Sequence, residues 1–87
     1  MIVKVIYRYE SDHAREELSY LRDFSRQTGR TIEEIDPDTP EGTHTCRTYD
    51  IVEYPTMIAL SDDGQLQHMW RGRPLPTINE VSYYATQ

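Results

Sequence analysis

Asp12-His13 sets an acid beside a base at the predicted start of a helix. An aspartate there accepts from the unpaired N–H groups of the first turn, and the histidine would titrate near neutrality. No nucleophile stands close in sequence, so a hydrolytic reading has no third member. His44-Thr45-Cys46 offers two metal-ligating side chains at i and i+2. On a helix they point to different sides, and no second pair at fixed spacing completes a set, so no metal is expected. Trp70-Arg71-Gly72-Arg73 is the only local concentration of basic and aromatic residues. It could stack a base or grip an acidic peptide. The alternative is that Trp70 packs on a sheet with Leu66 while Arg71 and Arg73 stay hydrated.

Cys46 is the sole cysteine. It forms no internal disulfide, carries no dithiol chemistry alone and anchors no four-cysteine zinc site. It is either a packed core thiol or a redox or thiol-sensing group. Nine Lys and Arg against fifteen Asp and Glu leave a net charge of −6. That balance argues against nucleic acid or an anionic membrane as a partner. No run approaches the ~18 apolar residues of a membrane helix. The opening Met1-Ile2-Val3-Lys4-Val5-Ile6-Tyr7 is too short for a secretion signal, so the expected compartment is cytoplasmic. The 87 residues fit one domain, 1–87, burying only ~60–65% of the surface of the unfolded chain.

The elements that must position these groups follow from pattern. Residues 2–9 are apolar and β-branched, broken by Lys4, and predict a strand covered on both faces. Ala14, Leu18, Leu21 and Phe24 share one face of a helix predicted over 12–28. Asp12 is its expected cap and Gly29 its stop. Residues 31–35 predict a second strand. Asp38 with Glu41 resembles a capping box for a short helix over 40–50. Thr56-Met57-Ile58-Ala59-Leu60 predicts a buried strand, and Asp62-Asp63-Gly64 a hairpin returning through Leu66 to Arg71. Thr77 with Glu80 caps a final helix whose Ile78, Val81 and Ala85 share a face. Tyr83 and Tyr84 cannot both face the core there. The order is β-α-β-α-β-β-α, an α/β fold with a four-stranded mixed sheet and helices on both faces.

Within that order, Tyr49-Asp50-Ile51-Val52-Glu53-Tyr54-Pro55-Thr56 reads as a helix end, a turn and a Pro-Thr opening of the third strand. The apolar strand, the Asp-Gly hairpin and Gly72 follow at matching intervals. These features resemble the thioredoxin-like superfamily, the thioredoxins and glutaredoxins: as architecture over residues 2–86, as sequence over 49–72. The resemblance implies a cis Pro55 facing the first helix and a substrate groove beside it. It places the family's Cys-x-x-Cys window at Asp12-His13-Ala14-Arg15, where both cysteines are missing. The helix N-terminus would lower a thiol pKa, but no thiol stands there to be lowered. Gly72-Arg73-Pro74-Leu75 also lacks the Gly-Gly-x-Asp-like segment of a glutathione site.

The expected function is therefore a redox-inactive, thioredoxin-like binding module without dithiol oxidoreductase activity and without a cofactor. Its groove is expected at Tyr9, Asp12, His13, Tyr54, Pro55 and Thr56, and Trp70 could join the aromatic rim. The expected partner is a protein or peptide, with a homodimer left open. The competing reading is a monothiol protein acting through Cys46.

Overall fold

The apolar run at the start of the chain becomes strand β1, Ile2–Ile6, and the remaining elements follow in the predicted order. They are α1 (Ala14–Thr28), β2 (Glu33–Ile35), α2 (Pro40–Tyr49), β3 (Thr56–Leu60), β4 (Leu66–Arg71) and α3 (Ile78–Ala85). The computed structural model describes residues 1–12 and 14–86. The sheet runs β2-β1-β3-β4. β1 and β2 are parallel, with Lys4 opposite Glu33 and Ile6 opposite Ile35. β3 is antiparallel to both β1 and β4. The parallel pair needs a crossover, and α1 supplies it.

Alternation along the strands sorts two cores. On one face Val3, Val5, Tyr7, Met57 and Ala59 pack with Phe24 of α1 and with Val81 and Ala85 of α3. On the other, Ile6, Ile35, Ile58 and Leu60 pack with Ile51, against Cys46 and Tyr49 of α2. Every residue of β3 is buried, because helices cover it on both sides. Full burial of side chains such as Phe24 and Ile58 stabilises by roughly 1.5–3 kcal/mol each.

Several boundaries shift for local reasons. β1 stops at Ile6, although the Tyr7 N–H still donates to Ile35 O at 3.1 Å. The Tyr9 N–H turns instead to Asp36 Oδ2 at 3.2 Å, outside the ladder. β2 begins at Glu33, two residues later than expected. α1 begins at Ala14, since Asp12 belongs to the turn after Ser11, whose N–H donates to Arg8 O. The cap of α2 is Thr39, not Asp38. Pro40 fixes the first helical residue, so the Thr39 hydroxyl is the group that reaches Gly42 N, at 3.0 Å. Asp38 binds Arg8 Nε at 3.2 Å. α3 carries the predicted Thr77–Glu80 capping box.

One correction concerns the face of α1. Leu18 is 49% exposed, whereas Glu17 is 1% exposed. The buried stripe therefore runs Ala14, Glu17, Leu21, Phe24, with a carboxylate inside it. No helix among the described residues is long and apolar enough to cross a membrane.

Candidate functional site

Where β1 ends and β3 begins, a cleft of about 190 Å³ opens between the sheet and the start of α1. Tyr7, Arg8, Ser11, Glu17, Tyr54 and Pro55 line it. The Tyr54–Pro55 peptide is cis and Pro55 is buried. Its carbonyl accepts from Gly72 N at 2.8 Å, which ties the head of β3 to the residue that follows β4. Gly72 has a φ of +70°, a region that a side chain enters only with strain.

Tyr54 is half-buried and held on two sides. Its hydroxyl donates to Cys46 Sγ at 3.8 Å. The Arg8 guanidinium carbon lies 5.0 Å from its ring centre, a cation–π contact worth about 0.5–1 kcal/mol at such a site. The Asp38 carboxylate fixes the other side of Arg8. Burial, followed by the contact with Cys46, raises the Tyr54 hydroxyl above its ordinary pKa. Across the cleft, the Tyr7 hydroxyl donates to Glu34 Oε1 at 2.7 Å. Burial and then that bonded carboxylate push its pKa up strongly. Both phenols therefore stay neutral donors across the physiological range.

Glu17 is the wall that the sequence reading missed. The signal was present, because residue 17 lies three residues after Ala14 and four before Leu21, on the same helical stripe. Arg8 and Ser11 were missed for another reason. They are loop residues whose placement depends on Asp38 and on the turn before α1.

The expected groove residues are only partly brought together. Tyr54 and Pro55 line the cleft. Thr56 is buried, its hydroxyl donating to Glu53 O at 2.6 Å, so it braces the Pro55 turn. Tyr9 is 47% exposed and rests on Tyr7, ring centres 5.1 Å apart. Asp12 is exposed in the turn before α1. His13 lies outside the described residues. Trp70 does not join this rim; its ring neighbours are His68 and Tyr84. Cys46 is half-buried and packs against the core on the α2 face, behind Tyr54. Among the described residues no group of three His, Cys, Asp or Glu could hold a metal ion.

The cleft thus combines an apolar floor of proline and tyrosine with a guanidinium, a hydroxyl and a buried carboxylate. A few polar groups on an apolar floor fix the orientation of a bound ligand. No protein-family model matches the sequence, and no curated protein matches it. Among solved structures, the chain is similar to thioredoxin 1 from the thermophilic eubacterium Thermosipho africanus TCF52B, with a TM-score of 0.67 and 17% sequence identity. The similarity covers 99% of this chain and 91% of that one. The chain has a thioredoxin-like fold, in which the first helix carries a carboxylate into the core beside a cis proline.

Proposed function

We propose that this protein is a redox-inactive binding module that holds an extended segment of a partner protein or peptide in the Pro55 cleft. One observation carries this reading. The only thiol, Cys46, is not among the cleft-lining residues and packs on the opposite face of the sheet, behind Tyr54. Thiol exchange in the cleft would need a thiolate there, and the cleft offers binding groups in its place. The tyrosine rings supply contact area at low entropic cost, while Arg8 supplies a guanidinium and Glu17 a carboxyl group. A single free thiol suits the cytoplasm.

Two measurements test the proposal. Peptides selected on the protein from a random library should bind the wild type and lose affinity for Tyr54→Ala and Arg8→Ala. Their amide shifts should map to residues 7–11, 54 and 56; peptides that map elsewhere would remove the cleft from the reading. Dithiothreitol-driven insulin reduction should match a Cys46→Ser control, and turnover above that control would establish the monothiol alternative.

A further inference from the structure

The open edge of the sheet, where β4 meets α3, gathers four aromatic rings. The Trp70 ring centre lies 4.5 Å from His68 and 5.4 Å from Tyr84. His68 and Tyr84 stack at 5.1 Å with planes 26° apart, and Tyr83 stands edge-on to Tyr84 at 5.2 Å. The Tyr84 hydroxyl sits 3.3 Å from His68 Nδ1, which holds those two rings in place. Tyr83 is 63% exposed, although a helix of this length could have presented a polar residue there. Together with Asn79 and Glu80, the rings line an open groove of about 430 Å³. None of these six residues lines the Pro55 cleft.

The chemistry of this groove selects for a cation. Aromatic faces are negative, and Glu80 is the only carboxylate among the lining residues. Glu80 uses Oε1 in the cap, accepting from the Thr77 N–H at 3.3 Å and its hydroxyl at 3.1 Å, which leaves Oε2 outside it. The chain as a whole carries −6, so an anionic ligand is repelled. Shape narrows the choice further. Rings spaced 4.5–5.4 Å apart pack directly on one another and enclose no hole between them for a globular ammonium group. They offer flat faces instead. A planar guanidinium stacks on such faces and presents its N–H fork to a carboxylate at the edge.

We propose that this aromatic shelf binds the guanidinium of an arginine on an exposed segment of a partner protein. Trp70 is the only tryptophan, so its fluorescence reports occupancy directly. The probe is N-acetyl-arginine N-methylamide, titrated at constant ionic strength beside its citrulline and lysine counterparts. The arginine compound should give a saturable change and bind about two- to fivefold more tightly than the neutral citrulline compound, the size of one exposed cation–π contact. It should also bind more tightly than the lysine compound, whose ammonium cannot stack flat on the rings. Glu80→Gln removes the charge but keeps the capping box, since glutamine serves at that position. Tyr83→Ala removes an exposed ring. Each should weaken the arginine compound by about two- to fivefold, Glu80→Gln through the lost exposed ion pair and Tyr83→Ala through the lost ring. The proposal is overturned if the citrulline or lysine compound binds equally well, or if both variants bind like the wild type. Amide shifts that map to residues 7–11, 54 and 56 rather than 79–84 would also overturn it.

Discussion

The Tyr54 hydroxyl donates to the Cys46 thiol across 3.8 Å, so one ring separates the only cysteine from the Pro55 cleft. Tyr54 therefore covers one side of the half-buried thiol as well as shaping the cleft. Iodoacetamide should label Cys46 more slowly than free glutathione at the same pH, and Tyr54→Ala should accelerate the reaction. Tyr54→Phe keeps the ring and should restore most of the protection. Equal labelling rates in all three proteins would show that the ring shields nothing.

Phe24 is fully buried in α1, while Leu18 on the same helix is half exposed. Phe24→Ala should cost ~3–5 kcal/mol by urea denaturation. Leu18→Ala should stay within about 0.5 kcal/mol, as for an ordinary surface substitution. A comparable loss at both positions would refute the orientation of α1 described above.

Two glycines should respond to alanine in unlike ways. At Gly42 the backbone is ordinary for a helix, where alanine normally gains about 1 kcal/mol. A Cβ there would nevertheless meet Asp36 O at 1.9 Å and Pro37 Cα at 2.7 Å, both of them backbone atoms. Gly42→Ala should therefore destabilise by ~2–3 kcal/mol or more, through overpacking. At Gly72 the nearest atom is the Glu53 Oε2, at 2.8 Å, the end of a movable side chain. The persistent cost is the φ of +70°, about 1–2 kcal/mol. Adding Glu53→Ala to Gly72→Ala should recover little, and a full rescue would assign the cost to the clash instead.

Alkaline pH should weaken the fold through its buried phenols. Burial, with the Glu80 charge, pushes the Tyr20 hydroxyl up from its ordinary 10.0 to about 12. The folded state thus holds a proton that the unfolded state releases between those values. By linkage, stability falls as pH rises through this window and is fully present below pH 10. Tyr7 shifts in the same direction. The urea midpoint should drop between pH 10 and pH 12, and less steeply in Tyr20→Phe. An unchanged slope in that variant would remove Tyr20 from the account.

The legible parts of this chain were those decided locally. Thr77 and Glu80 cap α3 within one turn, and the unbroken apolar run of β3 could only be a covered strand. The misread parts turned on single-residue ambiguities. Ala14, Leu18, Leu21 and Phe24 fit a helical face at intervals of 4, 3 and 3; with Glu17 in place of Leu18 the intervals are 3, 4 and 3, which fit equally well. Hydrophobicity favoured Leu18, but the docking of α1 on the sheet decided for Glu17. Asp38 and Thr39 are both good caps, and Pro40 chose between them. The cleft was half visible: Tyr54 and Pro55 came from a recognisable segment, whereas Arg8 and Ser11 sit in loops that long-range contacts hold.

Glu17 couples the core to the cleft at one position. It is 1% exposed on the inner stripe of α1 and also lines the Pro55 cleft. A substitution there changes the packing of the first helix and the chemistry of the cleft wall together, so the two cannot be tuned apart. Arg8 and Ser11 line the same cleft from a loop and carry no such double duty. Laboratory evolution of a new specificity is therefore expected to run through those loop residues and to leave residue 17 in place.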